Sequence, residues 1–225
     1  MPYFNIVAET SENTVVTEYE PVKKRSDSYQ SEAALEQEFI RLLCEQGYEY
    51  LPIHREKDLT ANLRKKLEEL NNYQFSDTEW DDFFKNAVAN PNEHIVEKTR
   101  KIQEDNVQVL TRDDGSSKNI TLIDKKNIHN NRLQVINQYV IGTENGAKHD
   151  NRYDVTVLVN GLPLVHIELK RRGVAIREAF NQINRYQSDS FWAGCGLYEY
   201  IQIFVISNGR SEEHTSELQS QRDIS

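Results

Sequence analysis

Apolar residues along this chain change period. In its first half they recur at helical spacing; from about residue 119 they alternate as in strands. SEAALEQEFIRLLCEQGYEYL predicts a first helix, with Ser31 as N-cap and acids in the first turn. Ala34, Leu35, Ile40, Leu42 and Leu43 form its apolar face, and Gly47 stops it. LTANLRKKLEELNNY predicts a second helix, amphipathic through Leu59, Leu63, Leu67 and Leu70. SDTEWDDFFKNAV, capped by Ser76, predicts a third, broken at Asn90-Pro91, and NEHIVEKTRKIQED a fourth. Residues 1–28 are mixed and polar and read as loosely structured, and RDDGSSK (112–118) reads as a loop.

The predicted strands are NITLID (119–124), LQVINQYVI (133–141), YDVTVLVN (153–160), PLVHIELK (163–170) and YIQIFVIS (200–207). One helix, VAIREAFNQINRYQ (174–187), interrupts them. Helices followed by a mostly antiparallel sheet with a helix packed on it give a mixed α/β domain.

Asn160-Gly161 marks a hairpin, and its register decides what chemistry the hairpin can carry. A strict two-residue loop would pair Val159 with Leu162, mix charges into the apolar side and part Asp154 from Glu168. Pairing Val159 with Pro163 gathers Val155, Val157, Val159, Val165, Ile167 and Leu169 on one face. Asp154, Thr156, Leu158, Leu164, His166, Glu168 and Lys170 then share the other. A one-residue slip moves every side chain across the sheet, so the cleaner segregation predicts the second register. It calls for a loop of three to five residues with Gly161 left-handed, and it sets Asp154 opposite Glu168.

Two carboxylates that close repel unless a positive charge lies between them. A hard divalent cation with oxygen ligands suits the gap, and Mg²⁺ needs only one or two carboxylates. Lys170, two residues past Glu168, points to the same side and can stabilise charge developing on a phosphate. The pattern outlines phosphodiester hydrolysis, although Glu-x-Lys alone is equally a common surface salt bridge. Gln182 and Tyr186, four apart, share a helix face beside it; Tyr186 also reads as a half-buried core tyrosine. Lys170, Arg171, Arg172, Arg177 and Arg185 make this the most basic stretch, suited to a phosphate backbone or simply a solvated face. His149, Asp150 and His166 resemble metal ligands only loosely. Glu32 and Glu36 share a helix face from which they could assist a metal, though helix solvation explains them too.

Composition narrows the classes. The 225 residues carry a formal charge of −9, so general affinity for nucleic acid is not expected and DNA contact must be local or shared. Cys44 and Cys195 have no metal-like spacing and no evident partner for nucleophilic work. No signal peptide, membrane-spanning run or P-loop motif is legible, so a cytoplasmic protein is expected. RSEEHTSELQSQRDIS (210–225) reads, codon for codon, as a translated sequencing adapter, which implies a gene cut short at Gly209.

NRYDVTVLVNGLPLVHIELKRRGVAIREAFNQINRYQ closely resembles the N-terminal nuclease domain of type I restriction enzyme R subunits, within the PD-(D/E)xK superfamily. SYQSEAALEQEFIRLLCEQGYEYL, KTRKI, LIDKKN and FVISNG extend the likeness over about residues 28–209. The resemblance implies a restriction-endonuclease-like mixed sheet with flanking helices and an N-terminal helical portion. Residues 1–27 would be an extension, 28–209 the nuclease domain and 210–225 the artefactual tail. It implies Mg²⁺ on Asp154, Glu168 and the Leu169 carbonyl, Lys170 as catalytic lysine, and Gln182 and Tyr186 as the family's Gln-x-x-x-Tyr pair. Tyr153 stands where the superfamily motif has proline. It further implies double-stranded DNA as substrate, ATP used only by motor domains absent from this chain, and methyltransferase and specificity subunits as partners. The isolated chain is expected to have little or no activity. A stand-alone nuclease of the same fold and a non-catalytic docking domain are the alternatives.

Overall fold

The computed structural model describes residues 3–9, 15–20, 31–142, 151–170, 182, 193 and 195–207. Tyr3–Glu9 (β1) and Val15–Glu20 (β2) pair antiparallel as a separate two-stranded sheet, which corrects the reading of these two segments as loosely structured. The alternation in YFNIVAE and VVTEYE is short but strand-like, and backbone pairing needs no more than that.

Glu32–Glu45 (α1) begins at Ser31, whose hydroxyl accepts the Ala34 amide as expected, and the chain turns away at Gly47, φ 93°. Leu35, Phe39 and Leu43 follow one another at four-residue steps and, with Ile40, press on the sheet. Ala34 and Leu42, expected on that face, are exposed, because the 3.6-residue period carries them round the helix. After Glu49–Tyr50 (β3) come Glu56–Asn71 (α2), Asp77–Phe83 (α3) and Ile95–Gln103 (α4). Ser76 caps α3 in a reciprocal box with Glu79.

RDDGSSK is the turn of a hairpin between Val107–Thr111 (β4) and Ser117–Thr121 (β5). The unforeseen β4 buries only Leu110, so it carries too little apolar alternation to announce itself. Leu133–Ile141 (β6), Asn151–Val159 (β7), Leu162–Leu169 (β8) and Ile203–Ser207 (β9) complete the strands. Leu197–Tyr200, where a strand was expected to begin, is a 3-10 turn, and the Tyr200 hydroxyl donates to the Val88 carbonyl. The helix predicted at 174–187 lies outside the described residues except for Gln182.

The main sheet runs β3-β6-β7-β8-β9. β6, β7 and β8 form an antiparallel meander, but β3 joins β6 and β9 joins β8 in parallel. The sheet is therefore mixed rather than mostly antiparallel. Its outer strands return through long connections, which parallel pairing requires. This is the restriction-endonuclease-like α/β architecture.

One face of the sheet meets α1 through Val135, Val155, Val157, Ile167 and Leu169. The other meets α2, α3 and α4. Leu59, Leu63 and Leu67 of α2 have no exposed surface there, and each contributes about 1.5–3 kcal/mol by leaving water. Tyr139, Tyr153 and Tyr198 stack in the same core, Tyr198 lying 4.9 Å and 4.6 Å from the other two rings. Among the described residues no helix is long and apolar enough to cross a membrane.

Candidate active site

The β7–β8 hairpin contains both registers that the sequence allows. At the turn, Val159 pairs with Leu162 and Leu158 with Pro163, so the loop is Asn160-Gly161 alone, with φ 51° and 86°. The expectation of a three- to five-residue loop is thus corrected, while Gly161 is left-handed as expected. One step further the pairing becomes Val157 with Val165, Thr156 with His166 and Val155 with Ile167. Leu164 is the extra residue of a β-bulge, and its carbonyl accepts the Gln202 amide. The bulge reconciles two demands: Asn-Gly favours a tight turn, and segregation of charge from the α1 face needs the other register.

Beyond the bulge, the shifted register brings Asp154 and Glu168 together. The half-buried Asp154 accepts the Leu169 amide on Oδ2 at 2.9 Å. Burial, then the charge of Glu168, push its carboxyl up to about 7; the Leu169 amide and Lys170 pull the other way, and Glu36 adds to the rise. Glu168 has no exposed surface. Its Oε1 accepts from Lys170 Nζ at 2.8 Å, and its Oε2 lies 3.4 Å from His166 Nε2. Lys170 Nζ also donates to Gln182 Oε1 at 2.8 Å. Asp154, Glu168, Lys170 and Gln182 therefore form one cluster. Leu169 sends its side chain into the α1-side core. Arg185 and Tyr186 lie outside the described residues, as do Arg171, Arg172, Arg177, His149 and Asp150.

His166 is buried between Tyr153 and Phe204, at ring distances of 5.3 Å and 6.3 Å, and acts as a wall beside Glu168. Glu36 is buried against β6 while Glu32 is exposed, so helix solvation does not account for Glu36. The Asn137 and Gln138 side chains donate to Glu36. Sequence reasoning passed over this pair; the signal available was two adjacent amides inside the otherwise apolar LQVINQYVI.

Strand alternation also slips here. Val155 belongs to the α1-side core but Tyr153 to the opposite one, and Val135 and Tyr139 divide in the same way on β6. Asp154 and Gln138, which has φ 52°, sit at the two slips.

Among the described residues no group of three or more His, Cys, Asp or Glu side chains is arranged to hold a metal. Two carboxylates suffice for Mg²⁺, which keeps several waters. The Glu168 Oε2 atom, buried and accepting no hydrogen bond among the described residues, is the kind of orphan that such a cation satisfies. The Cys195 thiol, pushed up to about 12 by burial, is poorly suited to nucleophilic work.

The mixed sheet thus carries an acid on one strand and Glu-x-Lys on its neighbour. The chain belongs to the family described as type I restriction enzyme R protein N terminus, which matches residues 29–221. It is 50% identical over 204 residues to the type I restriction enzyme EcoprrI endonuclease subunit of Escherichia coli, covering 90% of this chain and 64% of that one. It is 39% identical over 193 residues to the type I restriction enzyme SsaAORF53P endonuclease subunit of Staphylococcus saprophyticus, covering 84% and 20%. Identity to the HindI endonuclease subunit of Haemophilus influenzae is 30% over 201 residues, covering 80% and 18%. The chain thus spans 64% or less of these relatives' lengths.

Proposed function

We propose that this chain is the DNA-cleaving domain of a type I restriction enzyme R subunit and hydrolyses phosphodiesters of double-stranded DNA with Mg²⁺. The observation that carries the reading is Glu168: fully buried, one oxygen on Lys170, the other with no hydrogen bond among the described residues, beside a half-buried Asp154. Asp154, Glu168 and the Leu169 carbonyl would hold the ion, which supplies a Lewis acid at the scissile phosphate.

The chain's own groups do the rest. Lys170 spends two of its three N–H donors on Glu168 and Gln182, which fixes its position and leaves one for a phosphate oxygen. Gln182 thereby orients the lysine, and Arg185 and Tyr186, which lie outside the described residues, are the further DNA contacts this reading assigns. His166, Tyr153 and Phe204 keep water from the inner side of Glu168. Recognition of the DNA sequence falls to methyltransferase and specificity subunits in the cytoplasm, and ATP is used by motor domains outside this chain. That division fits an acidic chain whose positive charge is local.

The test is cleavage by the assembled enzyme carrying Asp154→Ala, Glu168→Ala or Lys170→Ala. Each is expected to abolish cutting while ATP hydrolysis and a cooperative thermal unfolding transition persist. A variant that still cuts removes its residue from the mechanism.

A further inference from the structure

We propose that Glu36 is a positioning residue for this site: from α1 it clamps a left-handed kink in β6 and so sets the backbone of β7 at Asp154. The inference rests on reading Asp154 as a functional carboxylate.

Glu36 is the one residue of α1 that is buried, at 8% exposure, whereas the apolar side chains of that helix are only partly covered. Placing a carboxylate at the best-covered position of an amphipathic helix costs stability, since an apolar side chain there would need no desolvation of charge. What the carboxylate gains is specific. Its Oε1 accepts from Asn137 Nδ2 at 2.5 Å and its Oε2 from Gln138 Nε2. Neighbouring residues of a strand point to opposite faces, so two adjacent amides reach one carboxylate only if the strand is kinked between them. The kink is present: Gln138 has φ 52°, a conformation strained for any residue with a β-carbon.

Asn137 is held from further sides. Its Oδ1 accepts from the Tyr50 hydroxyl at 2.9 Å, and its carbonyl lies 3.0 Å from His54 Nδ1. The clamp is thus anchored on α1, β3 and the segment after β3.

The kink transmits directly to the site. Asn137 pairs with Val155 and Tyr139 with Tyr153, so Gln138 faces Asp154 across the ladder. Both strands change faces at this point, and the Asp154 carboxylate, freed from regular alternation, takes the Leu169 amide on β8. The charge of Glu36 is also close enough to raise the Asp154 carboxyl. Releasing the clamp should let β6 relax toward regular alternation and turn Asp154 away from Glu168.

The test uses the whole chain, titrated with Mg²⁺ by calorimetry, and amide exchange of the metal-free chain. Glu36→Gln places an amide where an acceptor is needed, and Gln138→Gly removes the donor while tolerating the kink. Each is expected to weaken Mg²⁺ binding about 10–100-fold, the usual effect of losing a group that orients a ligand. Each should also speed exchange at Leu169 while amides of α2 on the opposite face keep their rates. Asp154→Asn serves as reference and should abolish binding. If it does and both clamp variants bind as the parent does, the clamp is overturned. It is equally overturned if Glu36→Gln weakens binding and Gln138→Gly does not, since Glu36 would then act directly. If Asp154→Asn leaves binding unchanged, the reading of the site fails; Leu169 exchange then decides the clamp alone, faster exchange sustaining it and unchanged exchange overturning it.

Discussion

At its turn, the β7–β8 hairpin buries Asn160, whose side chain donates to the Leu122 carbonyl and the Asn131 side chain and accepts the Arg132 amide. At its open end it buries Glu168, with Oε2 bonded by no described group. Both ends carry buried polar residues on the same two strands. One is saturated with partners, and the other holds a charge beside a carboxyl that burial has pushed up to about 7. Saturated burial fixes a structure; unsaturated burial is tolerated where a ligand will complete it. Leu164 separates the two ends, since the bulge changes the register between them.

Undoing the register beyond the bulge should have the largest effect. Inserting one alanine between His166 and Ile167 shifts every later residue of β8 by one against β7 and drives Glu168 toward the α1 core. No cooperative unfolding transition is expected in urea, and a sharp transition would show that the register is set elsewhere.

Gly161→Ala comes next. Its β-carbon would lie 2.6 Å from the Leu63 Cα, at a φ of 86°. A loss of about 3 kcal/mol or more is expected from strain and overpacking together, read as a shift of the urea midpoint.

Asn160→Gly keeps the left-handed turn and deletes three hydrogen bonds. It should cost about 2 kcal/mol, within the range for leaving buried partners unsatisfied. A change below a few tenths of that figure would mean that water replaces the side chain and that the turn end is less closed than it looks.

The effect at the open end depends on pH. In the chelated protein the Asp154 carboxyl titrates at about 7 against an ordinary 3.8, so the folded chain keeps a proton that the unfolded chain has lost. That stability is complete below about pH 3.8 and is lost as pH rises through 7. Asp154→Asn should therefore flatten the dependence between those values and match or exceed the parent at pH 8. Thermal melts with a chelator at several pH values check the sign; a variant less stable at pH 8 would place Asp154 with the structural residues.

Much of this was open to sequence reading because it depends on local pattern. Ser31 and Ser76 cap the helices expected of them, Leu59, Leu63 and Leu67 line a buried stripe, and LQVINQYVI is a strand from end to end. The shared location of Asp154, Glu168 and Lys170 followed from asking which register separates charge from the aliphatic face. What stayed hidden depends on compromise or distance. A one-residue bulge leaves no signature when the residue inserted is another leucine. The parallel edges of the sheet depend on where long connections return. The link from Glu36 to Gln138 joins residues 102 positions apart, and a glutamate amid other acids in a helix gives no sign that it will be buried.

The bulge has a consequence for how related chains are aligned. The open end depends on Val157 meeting Val165, and not on how the chain reaches that pairing from the turn. A chain with one more residue in its turn and none to spare at Leu164, or with neither extra residue, would bring the two acids to the same place. A length difference in this hairpin can therefore sit at the turn or at the bulge, and a gap drawn at the wrong one of the two would misassign every position between them.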